Sequence, residues 1–288
     1  MPRPLNDDIA AVGGSCRRDY LLARGHGAKT ISEAVKAGTL VAPRRGWVAA
    51  PNAPTDALRA VVLGGVLGGA SALDSYGIWV DVEPLGVVVS CARTASRLPA
   101  LAEHERRVWL PATGHRWLPW RVSVVDALLQ YALDAPRDSL IAAVDSALNK
   151  KLLPQSEYHR LLAALPARSR TIATEVDRKA MSGTETRMRL LLVRAGYRVR
   201  TQVKIPTIGI VDIVVEDWLI LELDSKKHHD GETNQFRDRT RDGNSVLGQY
   251  GHERFMWSHV FYNPEWCLNV VEARVRERAA FNMLAPSQ

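Results

Sequence analysis

The chain has 288 residues, of which 46% are hydrophobic and 24% charged. This length fits two or three domains, and the composition excludes a wholly disordered chain. Three widely spaced cysteines, Cys16, Cys91 and Cys267, exclude a disulfide framework and a CxxC zinc site. They indicate a reducing compartment, so we expect a cytoplasmic protein.

No membrane segment is expected. The longest apolar stretch covers residues 60–73 and contains two glycine pairs. A bilayer span needs roughly 20 residues, so we expect these glycines to allow close helix packing in a soluble protein core. The N-terminal segment carries aspartates and lacks a long apolar core, which is not typical of a signal peptide.

The positive charge is concentrated at the N-terminus. The net charge is +7, and residues 1–50 hold eight Lys or Arg against four Asp or Glu, so +4 of the excess lies there. A basic region of this kind attracts polyanions, and nucleic acid is the usual one.

Residues 1–50 predict a winged helix-turn-helix domain. Short helical patterns cover about 5–12, 15–25 (with Ser15 as a cap) and 28–37, and a β-hairpin follows with its basic turn at 43–46. The third helix would enter a major groove and the hairpin would contact phosphates. The residues expected to contact DNA are Lys29, Thr30, Ser32, Lys36, Arg44 and Arg45. A small helical protein-interaction module with solvated charges is the alternative.

This segment resembles the N-terminal winged-helix domain of AbiEi-type antitoxins. The resemblance rests on ThrIleSerGluAlaValLysAlaGlyThrLeu at 30–40 and ArgArgGlyTrpValAla at 44–49. It covers about forty residues and implies DNA binding.

Residues 51–181 predict a mostly helical spacer domain with a small sheet. Helical patterns cover about 55–76, 123–133, 138–150 and 155–165, and short strands are predicted at 86–91 and 107–110. Ser123 is placed to cap the second of these helices. Trp109, Trp117 and Trp120 either fill a core or, with neighbouring basic residues, stack on bases.

Residues 182–288 predict a third domain with the order α-β-β-β-α-β-α. An amphipathic helix runs from Ser182 to Gly196, and strands are expected at 199–205, 208–215 and 218–225. A polar helix at about 233–247, a strand near 254–257 and a helix from 264 to about 281 follow. The predicted fold class is therefore a multidomain α+β protein.

Acidic residues interrupt two apolar strands of this domain. Asp212 lies within IleValAspIleValVal, and Glu222 within LeuIleLeuGluLeu. Glu222, Asp224 and Lys226 then share one face of a strand at about 6.5 Å intervals. A lone buried carboxylate costs several kcal/mol, so a shared hard cation, Mg²⁺ or Mn²⁺, is predicted. Pairing with Lys226 or an arginine is the alternative for each acid.

These motifs, with GlyThrGlu185 on the preceding helix, resemble the PD-(D/E)XK nuclease superfamily and its Vsr-related endonuclease-like domains. The resemblance covers residues 180–260. It implies that Asp212 binds the metal and that Glu222 or Asp224 supplies the second carboxylate beside a backbone carbonyl. It also implies that Lys226 orients the attacking water and that Glu185 completes the site, although Ser182 and Glu185 also fit a capping box.

The same resemblance points to His229, which falls where Vsr-like enzymes carry a histidine near the scissile phosphate. On the polar helix, Arg237 and Arg241 would either meet DNA phosphates or belong to a solvated charged face. Ser225 stands where the related domains usually have glycine. Two registers stay open, because either Glu222 or Asp224 can take the principal acid position.

The leading hypothesis is a metal-dependent DNA endonuclease targeted to duplex DNA by the winged helix. The alternative is a DNA-binding repressor or antitoxin whose nuclease-like domain does not cut. RNA cleavage or a toxin–antitoxin partner role is a third hypothesis. The oligomeric state is open, with a homodimer among the alternatives.

Overall fold

The computed structural model describes residues 3–81, 86–110, 118–224 and 248–284 as a mixed α+β protein. The chain divides into two compact units. The first unit comprises Met1–Ala143 and Lys150–Ala173, and the second comprises Val144–Asn149 and Thr174–Gln288. The predicted boundary at 181/182 therefore lies inside the second unit. No helix in the described ranges is both long and apolar enough to cross a membrane.

The N-terminal part of the first unit combines three short helices with two paired strands. They are α1 (Leu5–Ala11), β1 (Ser15–Arg17), α2 (Arg18–Ala23), α3 (Ala28–Lys36) and β2 (Trp47–Ala49). Their apolar faces meet in one core of Ile9, Leu21, Ile31, Leu40 and Val48. The predicted Ser15 cap is wrong, because Ser15 pairs with Ala49 in the β1–β2 ladder and α2 begins at Arg18. A Val41–Ala49 bridge joins the two sides of the predicted hairpin.

The helix predicted over 55–76 is broken by a strand. The observed elements are α4 (Thr55–Val62), β3 (Val66–Leu67) and α5 (Gly69–Ser75). Gly64 has a φ of 97°, which few other residues adopt, and a Cβ at Gly65 would collide with the carbonyl oxygen of Ser90. The glycines do allow a close approach, but to the strand residue Ser90 rather than between helices as predicted.

The rest of the first unit adds a small sheet and helices. They are β4 (Val88–Ser90), β5 (Arg106–Val108), α6 (Val124–Tyr131), α7 (Arg137–Asn149, which ends in the second unit), α8 (Gln155–Ala164) and a 3₁₀ helix (Ala167–Thr174). The sheet order is β3-β4-β5. The Ser123 cap is confirmed, because its hydroxyl accepts from the Asp126 amide. Trp120 is buried and donates to the Val12 carbonyl at 3.0 Å, so it belongs to the core, whereas Trp109 is 44% exposed.

The second unit is built on a four-stranded sheet with helices. Its elements after the end of α7 are α9 (Gly183–Arg194), β6 (Val199–Ile205), β7 (Gly209–Val215), β8 (Leu219–Asp224), β9 (Gly251–Met256), α10 (Trp257–Tyr262) and α11 (Pro264–Leu284). The strand order is β6-β7-β8-β9; β8 and β9 are parallel and the other pairs antiparallel.

Apolar residues cover both faces of this sheet, as the uninterrupted runs around Asp212 and Glu222 predict. One cluster joins Ile213, Leu221 and Phe255 to residues of α9, α10 and α11. The other joins Val214 and Ile220 to residues near the β6–β7 turn. All three cysteines of the chain are buried and unpaired.

A buried ionic cluster fixes the start of α9 to the end of α7. Asp145 accepts hydrogen bonds from Arg189 at 2.9 Å, from the Thr186 hydroxyl at 2.8 Å and from the Asp177 amide at 2.7 Å. Burial raises the pKa of Asp145 from 3.8 to about 6, although Arg189 and these hydrogen bonds oppose the shift. Asp177 in turn accepts from the Thr201 hydroxyl on β6.

Candidate functional site

Polar side chains form a row across the sheet of the second unit. The β7–β8 ladder ends at the Ile213–Leu221 pair, so Asp212 and Glu222 each lie one residue beyond its last pair. The Asp212 side chain continues the contact between the two strands, because it accepts a hydrogen bond from the Leu223 amide on β8. On the other side of β7, the Gln202 side chain of β6 donates to Asp212. The row therefore runs from Gln202 through Asp212 to the part of β8 that carries Glu222.

The carboxylate of Asp212 is held in position from both sides. Its Oδ2 accepts from the Leu223 amide at 2.9 Å, and its Oδ1 accepts from the Gln202 side-chain amide at 3.3 Å. The hydrogen bond from Leu223 therefore uses a side-chain oxygen as the acceptor, beyond the end of the β7–β8 ladder. Asp212 is half-buried, so its charge is partly removed from water but reachable by a ligand.

Gln202 links Asp212 to the helix acid. Its side-chain nitrogen also donates to Glu185 Oε2 at 2.9 Å. The backbone φ of Gln202 is 49°, an uncommon conformation for a residue with a side chain, within a strand. The sequence gives no signal for this role, because a glutamine in a half-exposed strand resembles any solvated polar residue.

Glu185 is both a helix cap and a neighbour of Asp212. Its amide donates to the Ser182 hydroxyl at 3.1 Å, and its Oε2 accepts from the Met181 amide at 3.0 Å. The side chain is nearly buried. Burial raises the pKa of Glu185, and the negative charge of Asp212 raises it further. A cation between the two carboxylates would relieve this repulsion.

Glu222 and Asp224 differ in exposure. Glu222 is half-buried, whereas Asp224 is exposed at the end of β8, about 6.5 Å further along the strand. The parallel ladder with β9 places Arg254 beside Glu222. The sequence did not predict this neighbour, because β8 and β9 are distant along the chain.

The carboxylate oxygens of the row suit a hard cation whose other ligands are water and substrate phosphate. The ranges that the structure describes contain no group of three or more His, Cys, Asp or Glu side chains placed to hold a metal ion. Mg²⁺ is usually bound through one or two carboxylates, with waters and substrate phosphates as the other ligands. Asp212 and Glu222 fit that pattern, with the backbone carbonyl of Leu223 between Glu222 and Asp224 as a further oxygen.

The predicted DNA contacts of the first unit fall into two groups. Lys29 has a 90% exposed side chain, 3.9 Å from Glu33. Thr30, Lys36 and Arg45 are also exposed. Two others serve the fold: the Ser32 hydroxyl accepts from Arg18 at 2.9 Å and donates to the Ala28 carbonyl, and Arg44 donates to the Val62 carbonyl at 2.9 Å.

Other predicted residues lie outside the described ranges. They are Lys226, His229, Arg237 and Arg241, together with Ser225, Trp117 and the polar helix expected at 233–247.

Comparison with known proteins gives no assignment. No family model matches the chain, and no curated protein matches it. The chemistry of the row of polar residues is therefore the basis for a functional assignment.

Proposed function

We propose that this chain is a Mg²⁺- or Mn²⁺-dependent DNA endonuclease of the PD-(D/E)XK type, in which an N-terminal winged helix binds duplex DNA. The observation that carries the proposal is the hydrogen bond from the Leu223 amide to the Asp212 carboxylate, which holds that acid against β8 next to Glu222 in sequence. A further carboxylate, that of Glu185, shares the Gln202 side chain with Asp212. Such a concentration of negative charge is costly unless a cation is bound.

In this proposal Asp212 and Glu222 hold the cation, and Glu222 rather than Asp224 is the principal second acid because Glu222 is half-buried within β8 whereas Asp224 is exposed. When bound, the cation would neutralise charge on the scissile phosphate and lower the pKa of a coordinated water. Gln202 and the Leu223 amide fix the orientation of the Asp212 carboxylate. We assign Lys226 to orienting the attacking water and His229 to contact with the phosphate, on the resemblance alone.

A non-cleaving DNA-binding repressor or antitoxin is the second candidate. The position of Arg254 beside Glu222 favours it, because an arginine can compensate an acid without a metal. In that case the exposed basic residues of the first unit, such as Lys29 and Arg45, would carry the function by themselves.

The test is nicking of supercoiled plasmid with Mn²⁺, Mg²⁺ or EDTA, by the wild type and by Asp212→Asn. We expect metal-dependent nicking that falls at least about a hundredfold in the variant, because the main oxygen ligand is weakened. Asp56→Asn, on an exposed residue of α4, is the matched control and should cut normally.

A thermal melt separates the two candidates without relying on cutting. Mn²⁺ should raise the melting midpoint of the wild type by preferential binding to the folded state, and should raise that of Asp212→Asn less. Nicking that survives Asp212→Asn contradicts the site. Absence of both nicking and stabilisation by either metal favours the non-cleaving candidate.

A further inference from the structure

A groove of about 470 Å³ runs along β6, at the margin of the sheet in the second unit. One wall is β6 itself, over residues 199–204, and the other includes Asp177 and Lys179. Among the described strands, β6 pairs only with β7, so its outer edge presents backbone N–H and C=O groups to the groove.

The groove is electropositive. Lys179, Arg200 and Lys204 line it, against one carboxylate, that of Asp177. Both lysines are exposed, and neither ammonium forms an ion pair within the described ranges. Arg200 is paired with Asp217 at 3.1 Å, so its charge is partly compensated.

The single acid of the groove is already engaged. One oxygen of Asp177 accepts from the Lys179 amide at 2.9 Å, and the other accepts from the Thr201 hydroxyl. Its capacity to repel an anion from the groove is therefore reduced, because hydrogen bonds disperse its charge. The two unpaired lysines dominate the potential that a ligand would meet.

Gln202 connects the groove to the acids of the site. It lies in the groove wall, and its side chain donates to both Glu185 and Asp212. A chain lying in the groove would thus pass beside Asp212.

We propose that this groove binds the sugar-phosphate backbone of one nucleic-acid strand and guides it to Asp212 and Glu222. The inference rests on the proposed function and adds the path of its substrate. Lysine ammonium groups and outward backbone N–H groups are common phosphate contacts, and they position a polynucleotide without reading its bases.

The test is the salt dependence of DNA binding by Lys179→Gln/Lys204→Gln. Anisotropy of a labelled DNA duplex is measured in EDTA, from about 50 to 200 mM salt, so that no metal or cutting is involved. Loss of two phosphate contacts should reduce the slope of log K against log salt by about 1.8, which corresponds to about two-hundredfold weaker binding at 50 mM if the affinities converge near 1 M salt. Lys150→Gln/Lys151→Gln removes the same charge from two exposed lysines of the first unit and should bind like the wild type.

The groove proposal is contradicted if the salt slope is unchanged, or if both double variants lose the same DNA affinity. Competition by polyglutamate as strong as that by unlabelled DNA also contradicts it, since the groove would then be a general anion surface. Self-association of Lys179→Gln/Lys204→Gln with unaltered affinity also overturns it, because the lysines would then only protect the sheet edge.

The same assay with an RNA duplex distinguishes the polymers. A selective loss with either duplex supports the groove, and loss with RNA alone contradicts only the DNA specificity of the proposed function. If DNA binding depends on Lys179 and Lys204 but the protein never nicks plasmid, the groove proposal is supported and the nuclease function is contradicted.

Discussion

Asp145 shows how one buried carboxyl group can make stability depend on pH. Burial raises its pKa to about 6, more than Arg189 and three hydrogen bonds can lower it. The folded state therefore holds the proton more tightly than the unfolded chain, in which an aspartate has a pKa of about 3.9. The stabilisation that Asp145 gives through this proton is fully present below about pH 3.9 and is lost as the pH rises through about 6.

We therefore predict a pH-dependent effect of Asp145→Asn. The free energy of unfolding of the wild type, minus that of the variant, should decrease by about 2–3 kcal/mol between pH 4 and pH 7, because asparagine does not titrate. Urea denaturation of both proteins at several pH values measures this difference. A difference that does not change with pH for Asp145→Asn would contradict the assignment.

At the same scale, the sequence revealed some site residues and not others. Asp212 and Glu222 were recognisable as candidates because each carboxylate interrupts an apolar strand. Gln202 was not, because its function depends on a left-handed backbone and on two partners that only the folded sheet supplies. The position of Arg254 beside Glu222 could not be predicted either, because it depends on the parallel pairing of β8 with β9, which are far apart in sequence.

At the scale of elements, local patterns predicted the strands β6, β7 and β8 within a few residues. Alternating or continuous apolar runs and short turns define such strands in any context. The helix predicted over 55–76 failed, because its periodicity continues through residues that the fold uses as β3. The positive φ of Gly64 ends α4 locally, and the close approach of Ser90 to Gly65 joins residues far apart in sequence.

The same contact gives a prediction for Gly65→Ala. Its added methyl group would meet the carbonyl of Ser90, so β3 and β4 must separate or bend, at a cost of about 1–3 kcal/mol. Chemical denaturation measures the loss. Equal stability of Gly65→Ala and the wild type would mean that this approach does not break the helix.

At the scale of the whole molecule, the second unit is not continuous in sequence. It takes Val144–Asn149 from the end of α7, and these residues include Asp145, the partner of Arg189. A fragment beginning at residue 182, the predicted domain start, would lack that carboxylate as well as the Asp177 amide. It would leave a nearly buried guanidinium without its counterion.

We predict that fragment 182–288 is less stable than fragment 137–288, which retains α7. Removing one partner of a buried ion pair costs about 3–5 kcal/mol, which is a large part of the stability of a typical domain. Thermal melts followed by circular dichroism would measure the difference. Arg189→Met should recover part of the loss in the shorter fragment, and equal melting points for the two unmodified fragments would contradict the role of Asp145.

The three buried thiols provide reporters for such measurements. Cys16 and Cys91 lie in the first unit and Cys267 in the second. Burial raises the pKa of Cys16 to about 12 and that of Cys267 to about 11, which suppresses the reactive thiolate. An alkylating reagent should therefore modify each cysteine only when its surroundings open. Mass spectrometry of the labelled peptides would then give opening rates for the two units in one unmutated sample.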